Sequence, residues 1–209
     1  MVILLQPRFQ AATVGWPPAL ARLTDLVVLS APLLAAVIIA ARVSRDRFAT
    51  ATGLRGFAWV DAAAGVGVGL IARALVELVA PTAGGIGGGL EVESAGVAGG
   101  IVVALAGAVL VTPLIEELFF RGLLQRALGD ALAGAGRAVA GIVAVVVSAL
   151  AFVALHVLAT GGNVPVGLLV GSLAVGLGCG ILTLLTGRLA GAIVAHVVSN
   201  AIGVALLIW

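Results

Sequence analysis

Two adjacent carboxylates and an arginine lie inside a very apolar stretch of this chain, residues 111–122, which reads VTPLIEELFFRG. Placing an ionised side chain in hydrocarbon costs at least ~2.5–3.5 kcal/mol, so a membrane segment that keeps three of them usually does so for a function. In a helix, Glu117 and Arg121 share one face and can form an ion pair, whereas Glu116 points about 100° away and has no local partner. An unpaired carboxylate beside a paired one is the arrangement expected of a catalytic base.

The only two histidines of the chain, His156 and His196, also fall in apolar stretches, and Asn200 follows His196 by about one helical turn. A single buried histidine is usually a satisfied core residue, but two of them with an unpaired glutamate and an in-register asparagine indicate a functional cluster. A carboxylate near a neutral imidazole can position and deprotonate a water molecule. A second imidazole and an amide on one helix face can donate hydrogen bonds to a developing oxyanion. These residue types predict a hydrolase that acts on a carbonyl group, with a peptide bond as the favoured target.

The same side chains are compatible with a metal centre. Two histidines and one or two glutamates are an acceptable zinc set with an open position for water, and the ligands here would be Glu116, His156 and His196. The local His-Glu-x-x-His pattern of many zinc peptidases is absent from the sequence. Residue types alone therefore leave the metal-dependent and the glutamate-dependent mechanisms open.

The composition is that of an integral membrane protein. Of 209 residues, 62% are hydrophobic and only 10% are charged, and the mean hydropathy is +1.30. A soluble domain of this length needs far more charge to cover its surface. We expect an all-α, polytopic bundle of about six transmembrane helices in the lipid bilayer of the inner cell membrane. The basic residues are too sparse to form a nucleic-acid patch.

Six apolar stretches are long enough to span a membrane, at ~20 residues each. We expect them at Leu23–Ala41, Trp59–Ala80, Val97–Leu118, Ala138–Leu158, Val164–Leu185 and Leu189–Trp209. We divide the chain into an N-terminal region, residues 1–97, with two spans, and a core, residues 98–209, with four. The positive-inside rule predicts that the connections after the first, third and fifth spans are cytoplasmic, since they hold arginines such as Arg55, Arg121 and Arg188.

Span two contains Arg73 and Glu77, again four residues apart. We expect an internal ion pair that lowers its own cost of insertion, and a gate or a substrate contact is the functional alternative. Asp61, at the start of this span, is expected to be solvated. The glycines of spans two and five are expected to let helices approach closely, and Cys179 to be a small buried side chain.

Three motifs in this order resemble those of the CPBP family (CAAX proteases and bacteriocin-processing enzymes, also called the Abi family). They are Pro113-x-x-Glu116-Glu117-x-x-Phe120-Arg121-Gly122, Phe152-x-x-x-His156 and His196-x-x-x-Asn200. The similarity covers about residues 98–205, and the first two spans match nothing specific. The resemblance implies an intramembrane endopeptidase whose site lies in a cavity inside a helical bundle. Eukaryotic and archaeal relatives remove the last three residues of prenylated CAAX proteins.

The resemblance also implies roles for six side chains in three pairs. It assigns water activation to Glu116 and His156, an oxyanion hole to His196 and Asn200, and organisation of the site to Glu117 and Arg121. We favour the glutamate-dependent mechanism because two helix-borne oxyanion donors leave fewer side chains as metal ligands. We therefore expect no required cofactor, with zinc as the alternative.

Straight helices would keep the two histidines apart. His156 would lie near the outer end of span four, and His196 in the cytoplasmic half of span six. We expect them to meet only if helices tilt, shift or break near Gly161 and Gly162, where irregular backbone can line a cavity.

Two functions of other classes compete with the peptidase. One is a non-catalytic membrane scaffold or bacteriocin immunity protein of the same fold, whose phenotype would survive alanine at Glu116 or His156. The other is a proton-coupled transporter, disfavoured by the small number of spans and the lack of a visible inverted repeat. The expected partners are a peptide or protein substrate, lipidated or membrane-bound, and the bilayer, with no nucleic acid.

Overall fold

A computed structural model of the chain describes residues 12–44, 48–54, 56–82, 95–160 and 163–208. All regular structure in these ranges is helical, and six helices are long and apolar enough to cross a membrane. This confirms the expected all-α bundle and its six spans, and the protein is an integral, multi-pass membrane protein. Arg55, Gly161, Gly162 and the end of the last span at Trp209 lie outside the described residues.

The helices are α1 (Pro18–Val43), the short α2 (Phe48–Thr52), α3 (Trp59–Val79), α4 (residues 95–131), α5 (Arg137–Ala159), α6 (Val166–Thr186) and α7 (Ala190–Ile208). A 3₁₀ turn at Ala133–Ala135 joins α4 to α5. Helix α7 packs chiefly against α3, and α6 packs against both α3 and α5. Five of the six spans lie close to the predicted bounds, and the third does not.

Our expectation that the third span ends at Leu118 is wrong, because α4 continues without interruption to Ala131. Arg121, which we expected in a cytoplasmic connection, is therefore inside the helix and fully buried. Two segments of α4 are π-helical, Gly107–Val111 and Leu118–Gln125, and the carboxylates of Glu116 and Glu117 lie between them. The end of the span was misplaced because a hydropathy scale treats Arg121 as a charge exposed to water. In the structure Arg121 is buried and hydrogen-bonded.

The first π segment of α4 ends just before Pro113, which has no N–H and whose ring crowds the preceding turn of an α-helix. In the wider π pattern each carbonyl pairs with the N–H five residues later, and the N–H of Thr112 donates to the carbonyl of Gly107. The next carbonyl in this pattern, that of Ala108, would pair with position 113. Because proline has no N–H to donate, the Ala108 carbonyl is left for another donor.

Glycines of α3 bring that helix unusually close to α7. A Cβ added at Gly65 would lie 2.5 Å from the carbonyl oxygen of Gly191, and one at Gly69 would lie 2.6 Å from that of Ala195. Only glycine permits this approach, so the packing interpretation is confirmed at both positions. Gly67, for which we expected the same, has no neighbour within 4 Å among the described residues. The close contact fixes the first turns of α7, which carry His196.

The prediction that Asp61 is solvated is also wrong. Asp61 is fully buried rather than solvated, and its two oxygens accept hydrogen bonds from Nε and Nη2 of Arg188 at 2.8 and 2.7 Å. This bidentate pair joins the start of α3 to the connection between α6 and α7. Its partner is 127 residues away, so local sequence could not reveal it. Cys179 is buried as expected, and its thiol donates to the carbonyl of Ala192.

Candidate active site

The innermost part of the site is a buried cluster of Glu117, Arg121 and His196. One oxygen of Glu117, Oε1, accepts hydrogen bonds from Nη1 of Arg121 at 2.9 Å and from Nδ1 of His196 at 2.8 Å. The predicted ion pair within α4 is confirmed, and the participation of His196 was not predicted. Because an ionised carboxylate can only accept, the proton of this contact belongs to Nδ1 of His196. Glu117 thus fixes both the orientation and the tautomer of the imidazole.

Arg121 also ties α4 to two neighbouring helices. Its Nη2 donates to the carbonyl of Gly176 in α6 at 2.9 Å. Its guanidinium carbon lies 4.8 Å from the centre of the Phe152 ring in α5, a cation–π contact. One turn later, Nε2 of Gln125 donates to the carbonyl of Gly180 at 3.0 Å. Because Gly176 and Gly180 have no side chain, their carbonyls are accessible. Arg121 and Gln125 of the second π segment bind to α6 through these two carbonyls.

Glu116 is buried beside this cluster and no hydrogen bond joins it to another residue in the described part of the chain. Its nearest polar neighbour is His196, whose Nε2 lies 3.7 Å from Oε2 of Glu116. That separation is too long for a direct hydrogen bond, yet one water molecule can contact both atoms. The absence of a local partner within α4 is as predicted, and the facing group comes from α7.

One ring nitrogen of His156 is an acceptor that forms no hydrogen bond with a described residue. The other, Nδ1, lies 2.9 Å from the carbonyl oxygen of Phe152, and because a carbonyl only accepts, Nδ1 carries the proton. In the neutral imidazole Nε2 then has an unshared lone pair. His156 and Glu116 together line two cavities of about 450 and 400 Å³. One of them is walled mainly by apolar side chains of α1, α4 and α5, including Leu29, Ile115 and Leu155.

Asn200 is oriented by α4. Its Nδ2 donates to the carbonyl of Ala108 at 2.9 Å, which is the carbonyl left unpaired by Pro113. The amide keeps a second N–H and its oxygen for other partners. In the sequence, Pro113 stood out only as part of the first motif. The hydrogen bond between Asn200 and Ala108 was not predicted, because the two residues are 92 positions apart and no local pattern connects them.

Phe152 is the surface on which the two histidines meet. Its buried ring lies 4.4 Å from the ring of His156 and 5.5 Å from that of His196, centre to centre. Both histidines line a single cavity of about 590 Å³ with Asn200. Helices α5 and α7 reach this arrangement while each remains continuous, so packing offset rather than a helix break brings the residues together. The spacing of Phe152, four residues before His156, was the available signal for this role.

The candidate ligands Glu116, His156 and His196 do not form a zinc-binding arrangement. The facing atoms of Glu116 and His196 are close enough to share an ion, but within the described ranges no three His, Cys, Asp or Glu side chains are arranged to hold one. Protein zinc sites normally have three or more such ligands. The set of Glu116, His156 and His196 therefore does not fit zinc in this arrangement.

A family model described as Type II CAAX prenyl endopeptidase Rce1-like matches residues 98–202, half of the chain. No curated protein and no solved structure matches the sequence. All six candidate site residues fall inside the matched range.

Proposed function

The chain belongs to the Rce1-like family of type II CAAX prenyl endopeptidases, and we propose that it is an intramembrane endopeptidase of the inner cell membrane. Its substrate would be a membrane-bound or lipidated peptide or protein. The observation that carries the proposal is Glu116, a buried carboxylate without a hydrogen-bond partner among the described residues, which lines two cavities with His156.

Glu116 and His156 are suited to activating a water molecule. Both side chains line the same two cavities, and the carboxylate oxygens of Glu116 and Nε2 of His156 can accept hydrogen bonds. A water between them would donate both of its hydrogens and direct a lone pair at the substrate. General-base assistance of this kind contributes typically ~10²–10⁴-fold to a rate.

Charge balance favours His196 as an oxyanion donor. With both glutamates and Arg121 ionised, the buried group of Glu116, Glu117, Arg121 and His196 carries one net negative charge. One proton on the facing pair of Glu116 and His196 brings the sum to zero, which a low-dielectric interior favours, and this proton is on Nε2 of His196 when Glu116 is the ionised base. The resulting imidazolium, stabilised by Glu117 at Nδ1, has Nε2–H available. The second N–H of Asn200 supplies another donor in the same cavity.

The reaction then follows a hydrolytic course. The water oxygen bonds to the peptide carbonyl carbon while Glu116 takes up one proton of the water and Nε2 of His156 accepts a hydrogen bond from the other. The carbonyl oxygen becomes an oxyanion held by His196 and Asn200. Collapse breaks the C–N bond as the captured proton passes to the leaving nitrogen, and the products are a carboxylic acid and an amine. All of these groups belong to the chain.

The decisive experiment compares purified wild type with Glu116→Gln on quenched hydrophobic peptides in detergent, with and without a chelator. We expect Glu116→Gln to lower kcat/KM by ~10²–10⁴-fold, and the chelator to have no effect. The matched control is Asp130→Asn, the same carboxylate-to-amide change at an exposed position of α4. Full activity of Glu116→Gln would overturn the proposal and favour the scaffold or immunity function. Loss of wild-type activity with chelator and its return with zinc would overturn the metal-free mechanism.

A further inference from the structure

Helix α1, which precedes the range matched by the family model, forms one wall of a cavity that contains Glu116 and His156. The cavity has a volume of about 450 Å³, and its other walls come from α4 and α5. Most of its lining is apolar. Besides Glu116 and His156 it contains two hydroxyl groups, those of Ser30 in α1 and Thr112 in α4. Ser30 is thus the polar side chain that α1 brings to this cavity.

The hydroxyl of Ser30 differs from other hydroxyls of the membrane-spanning helices. Serine and threonine in an apolar helix can donate to a carbonyl one turn earlier, as Thr24 does to Leu20 at 2.8 Å and Ser172 to Leu168 at 2.7 Å. Ser30 is only 7% exposed and forms no hydrogen bond with a described residue. A buried hydroxyl without a partner costs free energy, which a hydrogen-bonding group brought into the cavity recovers.

Close packing of α1 against α4 fixes the relative height of the two helices. A Cβ added at Gly100 would lie 2.8 Å from Cβ of Pro18, and one added at Gly107 would lie 3.3 Å from Cδ1 of Leu26. The paired positions differ by 82 and 81 in the sequence, so the two helices run parallel. Residues of α1 therefore lie level with residues about 81 positions later, in α4.

This register sets the distance of Ser30 from the reacting groups. Ser30 lies level with Val111 and Thr112, about one helical turn before Glu116. One turn corresponds to ~5.4 Å along the helix axis. An extended peptide covers ~3.3–3.6 Å per residue, so Ser30 is about two residues of extended chain from Glu116.

A peptide in this cavity needs hydrogen-bond partners for its backbone, because N–H and C=O groups that stay unpaired in apolar surroundings cost free energy. Apolar side chains such as Leu29 and Leu155 offer none. In the proposed reaction Glu116 and His156 hold the water molecule. The hydroxyl of Ser30 can donate to a carbonyl or accept from an N–H, so it suits a backbone linkage of either orientation.

We propose that Ser30 is a substrate-binding residue whose hydroxyl forms a hydrogen bond with one backbone linkage of the bound peptide, about two residues from the bond that is cut. This rests on the proposed function for the position of the cut bond. The contact holds the peptide against α1, with the reacting carbonyl towards Glu116. Because every peptide has the same backbone, Ser30 contributes to the binding of any sequence that fills the cavity.

The test measures binding by the full-length protein in detergent, with Glu116→Gln in every sample to prevent cleavage. The probes are fluorophore-labelled hydrophobic octapeptides of one sequence. One has amide linkages throughout, and each of the others has a single amide replaced by an ester. An ester lacks the N–H and is a weaker acceptor, so it weakens a hydrogen bond to that linkage in either direction. We expect one ester close to the cut bond to lower affinity about fivefold, the range of one neutral hydrogen bond.

The variant is Ser30→Ala, which removes the hydroxyl and places a good helix former in α1. We expect it to bind the all-amide probe about fivefold more weakly and to show no further loss with that one ester, as in a double-mutant cycle. Ser30→Thr keeps the hydroxyl and should keep the sensitivity to the ester. The matched control is Thr24→Val, which removes a hydroxyl of α1 that is bonded within its own helix. It should leave every affinity unchanged.

The results separate the inference from the proposed function. Unchanged affinity of Ser30→Ala for the all-amide probe, or ester effects that are the same with and without the hydroxyl at every linkage, overturns the inference. Failure of the protein with Ser30 intact to bind any probe overturns the inference and the proposed function together. Coupling between Ser30 and one linkage, in a protein whose wild type cleaves no peptide, counts against the proposed function alone.

Discussion

The molecule contains two Arg–Glu pairs four residues apart in membrane-spanning helices, and their surroundings differ. The pair of α4, Glu117 and Arg121, is completely buried, with 0% of either side chain exposed. The pair of α3, Arg73 and Glu77, keeps 17% and 29% of its side chains exposed, and Arg73 lines a cavity. The same spacing thus gives an ion pair in both helices, but the neighbours decide what each pair can do.

The two ion pairs also differ in the additional residues to which they are hydrogen-bonded. Glu117 accepts from His196 and Arg121 donates to Gly176, so the inner pair holds the imidazole of His196 and joins three helices. The outer pair is closed by Thr82, only a few residues along the chain. The inner pair is therefore part of the framework of the site, while in the outer pair Nε of Arg73 has no hydrogen-bond partner among the described residues.

The largest effect should follow from breaking the inner pair. Arg121→Met would leave Glu117 buried without its countercharge, and loss of one partner of a buried ion pair costs about 3–5 kcal/mol. We expect this loss in the free energy of unfolding, measured by denaturant titration in detergent. Adding Glu117→Gln to Arg121→Met removes the stranded charge and should recover a large part of it. If Arg121→Met unfolds like wild type, the inner pair has no structural role.

A second prediction concerns activity rather than stability. Glu117→Gln keeps the shape of the side chain but removes the carboxylate charge that faces Nδ1 of His196, the proposed oxyanion donor. Loss of one oxyanion-hole donor costs ~10²–10³-fold in kcat, and we expect a loss of about 10²-fold, measured as initial rates on the peptide used for Glu116→Gln. The same substitution in the outer pair, Glu77→Gln, should lower the rate by less than about tenfold, since Glu77 contacts no group of the reaction. Equal losses for the two variants would contradict the distinction between the pairs.

The sequence predicted features that depend on neighbouring residues, and it did not predict contacts between residues far apart in the chain. Helix number, the bond of Glu117 to Arg121 and the close packing at Gly65 follow from spacing and hydropathy. The bonds of His196 to Glu117 and of Arg188 to Asp61 span 79 and 127 residues, and one sequence does not report such separations. The end of α4 was missed for the same reason, because the acceptors of Arg121 lie in α6. The division at residue 98 stays a prediction.

Asn200, the second proposed oxyanion donor, contacts neither ion pair through its described hydrogen bond to Ala108. Asn200 is held by the carbonyl of Ala108, which is free because Pro113 lacks an N–H. Pro113→Ala would supply that N–H, allow the carbonyl to pair within α4 and release the amide. We expect kcat/KM to fall about tenfold, as for partial loss of one preorganised donor, with the inner pair and folding preserved. In a double-mutant cycle, Pro113→Ala should have little further effect once Asn200 is alanine.

The smallest effect should come from neutralising the outer pair. Arg73→Gln with Glu77→Gln replaces a partly exposed ion pair by two amides that can still hydrogen-bond with each other and with Thr82. Exposed pairs contribute only ~0–1 kcal/mol, and replacing both partners leaves no stranded charge. We therefore expect the free energy of unfolding to stay within about 1 kcal/mol of wild type, in the titration used for Arg121→Met. A loss as large as that of Arg121→Met would make the outer pair a framework element like the inner one and would contradict the distinction between the two pairs.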